Sequence, residues 1–194
     1  LGKAVGYAYD RDSAQIARDG FVELLTQLAQ TEAKSIFVMA HSMGALLTME
    51  SLRQLSLTGK DQVVQKISPL ILASPDIDFE RLITQMNKIR VKPDPFIVMV
   101  ARDDRALQVS ESIRDGRDHL GEGADIRAMQ DLGLVVIDLT GIERSASGRH
   151  SAFASSPTLI RLIQKAGEMP TTGSGTGRGA RGFDLRALIR EPPG

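Results

Sequence analysis

The stretch SIFVMAHSMGALLTMESL, residues 35–52, decides the fold of this chain. Its first part, residues 35–40, is a short apolar run with β-branched residues, which is typical of a parallel strand buried on both faces. The pattern changes after His41 and Ser42. Apolar residues then recur at helical spacing, at Ala45, Leu46, Met49 and Leu52. The stretch therefore predicts a buried strand, a tight turn at Ser42 and an amphipathic helix.

The same alternation continues along the chain. Three more apolar runs predict strands, at 67–74, 95–101 and 134–140. Apolar residues at helical spacing predict further helices: one from an N-cap at Ser13 through Leu28, one from Phe79 to Met86, and one from an N-cap at Ser156 to just before Gly167. The polar stretch 116–133 is predicted to be a loop with a short helix. Alternating strands and helices predict an α/β domain with a mostly parallel sheet and helices on both faces.

Length and composition indicate one globular domain. The chain has 194 residues, of which 42% are hydrophobic and 25% are charged. We assign residues 1–167 to this domain. Residues 173–182 consist only of Gly, Thr, Ser, Arg and Ala, so we expect residues 168–194 to form a flexible tail.

Charge and residue usage exclude several classes of function. The chain has 24 Lys and Arg residues and 24 Asp and Glu residues, so its net charge is close to zero. No basic stripe therefore indicates binding to nucleic acid. No apolar stretch is long enough to span a membrane. The chain has no cysteine, and its three histidines have no metal-ligand spacing, so we expect neither a metal nor a cofactor. We expect a soluble domain, cytoplasmic or exported, that acts on a small molecule, while the oligomeric state and the compartment stay open.

The turn at Ser42 carries the chemistry. Residues 40–44, Ala-His-Ser-Met-Gly, fit the pattern G-x-S-x-G with alanine in the first position. Such a turn presents the serine hydroxyl above the carboxyl ends of the strands, and the N–H of Met43 faces a developing oxyanion. We expect small residues at 40 and 44 because larger side chains would collide there. The competing interpretation is that Ser42 only caps the helix.

A serine hydroxyl needs a base to take its proton, and three histidines are available. His41 adjoins Ser42 but should point away from it and pack beside the strand end. His119 lies in a polar stretch, where a solvated side chain is expected. His150 follows the last predicted strand and precedes the final helix, so His150 is the predicted base.

The acid has several candidates. Asp103 and Asp104 follow the strand at 95–101, and the chain order Ser, Asp, His matches that of α/β hydrolases. We favour Asp104, with Asp103 as the second candidate. Asp76 and Asp78 follow the preceding strand and are also candidate acids, although either could instead cap the helix that begins near Phe79.

Several motifs together resemble a known family. These are GYAYDRDSA, AHSMGALLTMESLRQL, ILASPDIDFERL, VARDDRAL and GLVVIDLT. They are similar to a largely bacterial family of α/β hydrolases of unknown function, over roughly residues 5–165. The resemblance implies the α/β-hydrolase fold and a catalytic site at Ser42, Asp104 and His150. It implies no particular substrate.

Members of that family have more strands before the segment that resembles GYAYDRDSA. They also have a histidine-glycine loop there, which supplies a second oxyanion N–H. We therefore expect this chain to be the C-terminal portion of a longer protein, with its second oxyanion donor upstream of Leu1.

The predicted function is that of a serine hydrolase of esterase, lipase or thioesterase type, which works through an acyl-enzyme. The alternative is a non-catalytic module with the same fold that serves as a binding or scaffold domain.

Overall fold

The fold is an alternation of helices and strands. The computed structural model describes residues 2–100 and 123–138. In chain order these residues form α1 (Gly2–Gln30), β1 (Ile36–His41), α2 (Met43–Leu57), α3 (Asp61–Gln65), β2 (Ile67–Ala73), α4 (Phe79–Met86), β3 (Phe96–Val100), α5 (Gly123–Asp131) and β4 (Val135–Asp138).

The four strands make one parallel sheet with the order β1-β2-β3-β4. Every residue of β2 and β3 is buried, as expected for central strands covered on both faces. In β1, by contrast, Phe37 is 43% exposed, since β1 lies at one edge of the sheet in the described part of the chain. The predicted α/β fold with a parallel sheet is confirmed.

The hydrophobic core joins the helices to alternate strand residues. Because side chains alternate across a strand, about one residue in two faces this core, with a shift between Ile67 and Leu70, where the pairing of β2 with β1 is irregular. The strand residues in it are Ile36, Val38, Ala40, Ile67, Leu70, Leu72, Phe96, Val98 and Val100. The helices contribute Leu25 from α1, Met49 and Leu52 from α2, Leu82 from α4 and Met129 from α5, among others. Burial of these side chains is the main force that holds α2 and α4 on the sheet.

Two local predictions differ from the structure. The first helix begins at Gly2, so the predicted start at Ser13 is wrong. Residues 2–12 contain no proline, so the helix can extend upstream of Ser13 although Gly2 and Gly6 favour a helix less than other residues do. The short helix α3 was not predicted, whereas α5 lies within the stretch 116–133, where a short helix was expected.

Other predicted features lie outside the described residues. These are the final helix before Gly167, the tail at 168–194, and four candidate site residues, Asp103, Asp104, His119 and His150. None of the helices within 2–100 and 123–138 combines the length and apolar character that a membrane span requires.

The parallel sheet determines where a site can lie. All four strands run the same way, so their carboxyl ends, at His41, Ala73, Val100 and Asp138, lie along one edge. Ligands bind at this edge in open α/β sheets. Ser42 directly follows β1, and the loop before α4 directly follows β2.

Candidate active site

Ser42 is the single residue between β1 and α2. Its backbone has φ 52° and ψ −124°, a region that residues with a side chain rarely adopt. Holding a non-glycine residue there costs about 1–3 kcal/mol. The predicted tight turn at Ser42 is thus present, and it is strained.

Three backbone hydrogen bonds hold this turn. The Ser42 N–H donates to the carbonyl oxygen of Ala73, at 3.1 Å. The Ser42 carbonyl accepts from the N–H of Ala45, at 3.0 Å, and from the N–H of Asp76, at 3.3 Å. One partner belongs to α2 and the others to β2 and the loop after it. The strain therefore persists because neighbouring elements determine the conformation.

The structure does not support the interpretation of Ser42 as a helix cap. Ser42 occupies the N-cap position of α2, but its side chain makes no capping hydrogen bond to that helix. Its φ and ψ also differ from the extended values that are usual at an N-cap. Capping of α2 thus does not explain why a serine stands at this strained position.

The two small residues of the motif have different environments. Ala40 is 6% exposed and belongs to the core, as expected for a residue packed beneath a helix. At Gly44, however, an added Cβ would meet no atom within 4 Å among residues 2–100 and 123–138, apart from its chain neighbours and the backbone of α2. The described part of the chain therefore does not contain the predicted collision at Gly44.

Met43 begins α2, a helix of 15 residues. The first N–H groups of a helix have no intrahelical acceptor, and the helix dipole is positive at this end. An anion near Ser42 would therefore lie at a favourable electrostatic position. The role of the Met43 N–H as oxyanion donor stays a prediction.

The loop between β2 and α4 lies against Ser42. Ser74 follows β2 with a positive φ of 42°, and its N–H donates to the Met99 carbonyl oxygen, at 2.9 Å. Two residues further, the Asp76 N–H reaches the Ser42 carbonyl. Two adjacent strand ends are thus each followed by a serine with a positive φ.

The two candidate acids in this loop have different roles. Asp78 is the N-cap of α4, and its Oδ1 accepts from the Arg81 N–H at 2.7 Å. Its carboxylate therefore has the capping role that sequence analysis named as the competing explanation. Asp76 is partly buried and its backbone contacts Ser42, so it stays the candidate acid in this loop.

Of the three histidines, only His41 lies within the described residues. His41 is the last residue of β1 and pairs with Ala73 in the sheet, so the strand extends one residue beyond its predicted end at residue 40. His119 and the predicted base His150 lie outside the described residues, as do Asp103 and Asp104. Within 2–100 and 123–138, no group of three or more acidic, histidine or cysteine residues is placed to hold a metal ion.

A cluster of polar side chains that was not predicted from the sequence joins α2 to α4. Glu50 has a side chain that is 16% exposed, and it binds Arg53 of its own helix together with Arg81 and Gln85 of α4. The signal in the sequence is its position, because Glu50 lies four residues after Leu46, where the apolar stripe of α2 continues. A charged residue on the buried side of a helix indicates a specific partner.

Comparison with known proteins agrees with this geometry. Residues 1–166 match the model of a family described as alpha/beta hydrolase of unknown function (DUF900). The matched range includes every described residue and also Asp104 and His150. A search among curated proteins and a search among solved structures each gave no match. The resemblance noted in the sequence is thereby confirmed.

Proposed function

This chain belongs to the alpha/beta hydrolases of unknown function, and from that membership we propose that it is a serine hydrolase of esterase, lipase or thioesterase type. The observation that carries the proposal is the strained turn, in which Ser42 stands alone between β1 and α2 with a φ of 52°. A serine kept in a conformation that favours glycine indicates that the hydroxyl itself is needed.

The surroundings of Ser42 support the same chemistry. The residue lies at the carboxyl edge of a parallel sheet and immediately before the N-terminus of α2. Negative charge that develops on a carbonyl oxygen beside this N-terminus would be stabilised by the Met43 N–H and by the helix dipole. One such donor typically contributes about 3–4 kcal/mol to the transition state.

The proposed reaction begins with the hydroxyl of Ser42. Its Oγ attacks the carbonyl carbon of an ester or thioester while His150 takes the hydroxyl proton. Asp104 orients the imidazole and stabilises it when it is charged. The tetrahedral intermediate then collapses, and the leaving alcohol or thiol receives the proton from His150.

A water molecule completes the cycle. It gives a proton to His150 and attacks the acyl-enzyme carbonyl, and the proton returns to Ser42 Oγ as the free acid departs. The reaction is a hydrolysis whose atoms balance with one water, so the proposal needs no cofactor. The substrate class is a small acyl compound.

Labelling by a fluorophosphonate probe tests whether Ser42 is an activated nucleophile. We expect one adduct, found by peptide mass spectrometry on Ser42 and absent in Ser42→Ala. Ser74→Ala is the matched control, because Ser74 is also a serine with positive φ at a strand end. If the wild-type protein is not labelled, or if the adduct lies on Ser74, the proposal is wrong.

Histidine variants test the base. We expect His150→Ala to lower the kcat for p-nitrophenyl butyrate by about 10²–10⁴-fold, the usual contribution of general-base catalysis. His119→Ala should retain wild-type turnover. Equal losses in the two variants would contradict the assignment, and the absence of any Ser42-dependent turnover would favour a non-catalytic binding or scaffold module.

A further inference from the structure

Glu50 joins α2 to α4. Its Oε1 accepts hydrogen bonds from Arg81 Nη2, at 3.0 Å, and from Gln85 Nε2, at 2.8 Å, and both donors belong to α4. Its Oε2 accepts from Nε of Arg53, at 3.2 Å, within α2 itself. The two carboxylate oxygens thus bind partners on different helices, since only Oε1 connects α2 to α4.

The hydrogen bonds between Glu50 and α4 are strengthened by the charge of the carboxylate and by burial. Burial by itself raises the pKa of the Glu50 carboxyl, but hydrogen bonds from Arg81, Arg53 and Gln85 outweigh it, so the pKa lies below its usual value. Glu50 is therefore ionised at neutral pH. Gln85 is 3% exposed, so its hydrogen bond to the carboxylate is shielded from water. Hydrogen bonds to a charged group are stronger than neutral ones, and more so away from water.

Arg81 extends this connection to the start of α4. Its guanidinium binds Glu50, while its backbone N–H donates to Oδ1 of the N-cap Asp78, at 2.7 Å. The side chain of Ile77, next to Asp78, is 2% exposed and lies in the core. The N-terminus of α4 is therefore held both to α2 and to the core.

The loop before α4 contacts the turn at Ser42. Asp76 lies two residues before Asp78, and its N–H donates to the Ser42 carbonyl oxygen, at 3.3 Å. A continuous series of contacts thus runs from Glu50 through Arg81 and the loop to the backbone of Ser42. Glu50 itself lies eight residues after Ser42, or about 12 Å along the helix axis. It is too far along α2 to touch the reacting atoms.

We propose that Glu50 is a positioning residue for the hydrolysis proposed above: its ion pair with Arg81 holds α4, and through the Asp76 loop it holds the Ser42 turn in its strained conformation. This inference rests on the proposed function for its catalytic consequence only. The turn determines where the Ser42 hydroxyl and the Met43 N–H lie. A small displacement should therefore lower kcat, with little effect on KM.

The first test measures how firmly the Ser42 turn is held, by a method that does not depend on catalysis. We expect Glu50→Gln and Arg81→Gln to raise the amide hydrogen-exchange rate of Asp76 by at least about fivefold, because local opening becomes easier. Arg81→Lys, which keeps the ion pair between the helices, should restore most of the protection. Exchange in β3 should stay at the wild-type rate in all three variants.

Two controls separate positioning from general stability. Arg53→Gln removes a partner of the same carboxylate, but one within α2. Asp61→Asn removes an ion pair of 2.8 Å with Arg90, near the opposite end of α2 from Ser42. Both control variants should leave Asp76 exchange and kcat unchanged. If either control accelerates Asp76 exchange as much as Glu50→Gln does, the positioning role is wrong.

The second test adds the kinetic readout. In Glu50→Gln and Arg81→Gln, we expect kcat for p-nitrophenyl butyrate to fall about tenfold while KM stays near its wild-type value. A rise in KM at constant kcat would overturn the inference. If Glu50→Gln fails to fold, the pair Arg81→Gln and Arg81→Lys decides the question. If the wild-type protein has no Ser42-dependent turnover, the proposed function fails, and Asp76 exchange still decides whether Glu50 holds the turn.

Discussion

At the scale of single residues, Ser42 is one of two non-glycine residues with a positive φ in the described part of the chain. Its strain has a local cause, since one residue must turn the chain from β1 into α2. Glycine would adopt this conformation at lower cost, because it lacks the Cβ that makes positive φ unfavourable. A serine in this conformation costs stability, and this cost supports our proposal that its hydroxyl is a nucleophile.

The strain at Ser42 predicts the relative stability of two variants at this position. We expect Ser42→Gly to be about 1 kcal/mol more stable to urea than Ser42→Ala, since glycine relieves the strain but loses more entropy on folding. Both variants lack the hydroxyl, so the difference in their stability comes from the backbone conformation and not from the loss of the hydroxyl. Equal midpoints, or a lower midpoint for Ser42→Gly, would mean that the turn is not strained.

At the scale of elements, α2 connects the site to the core. Its buried residues, which include Met49, Leu52 and Leu55, pack in the core, and its first residue follows Ser42 directly. Because burial fixes the helix, it also fixes where the helix N-terminus points.

Two glycines at the ends of α2 give a matched pair of variants. Among the described residues, an added Cβ meets no atom within 4 Å at either Gly44 or Gly59, but of these two glycines only Gly59 has a positive φ, of 76°. We therefore expect Gly44→Ala to stabilise the protein by up to about 0.5–1 kcal/mol, through helix propensity. Gly59→Ala should destabilise it by about 1 kcal/mol, through backbone strain.

Thermal unfolding of the two glycine variants measures this difference. If Gly44→Ala lowers the midpoint as much as Gly59→Ala does, then the space over Gly44 is filled in solution, as the sequence pattern first suggested.

At the scale of the whole molecule, the order of the strands determines which acids can reach the site. β2 lies between β1 and β3, so the carboxyl ends of β2 and β3, at Ala73 and Val100, lie on the same side of the sheet as the end of β1. Asp76 follows β2, whereas Asp104 follows β3 in the chain. We propose Asp104 as the acid, with Asp103 and Asp76 as the residues that could replace it in this role.

Amide variants distinguish these acids. We expect Asp104→Asn to lower kcat by about 10³–10⁴-fold while the fold is kept, because an amide favours the wrong tautomer of the base. Asp103→Asn and Asp76→Asn should lower kcat far less. Asp78→Ala is a useful control, since the loss of a helix cap should cost about 1 kcal/mol of stability without a comparable loss of turnover. If Asp76→Asn is the most damaging change, the acid follows β2 instead.

The sequence by itself determined the order of the strands and the place of the turn. Apolar runs and helical spacing are local patterns, and the strands at 36–41, 67–73 and 96–100 lie within one residue of their predicted limits. The motif at 40–44 likewise identified Ser42 as the turn residue, because its strand and helix are its immediate neighbours.

The tertiary structure decided which polar side chains meet. Glu50 binds Arg81 and Gln85, which lie 31 and 35 residues further along the chain. Asp78 caps α4 while the backbone of Asp76 contacts Ser42. The cap at Asp78 is a local contact between residues three apart, whereas the contacts of Glu50 and of the Asp76 backbone depend on how α4 packs on α2 and on how the loop after β2 meets the end of β1. Packing between elements determines which of these distant groups meet, and no local pattern in the sequence contains that information.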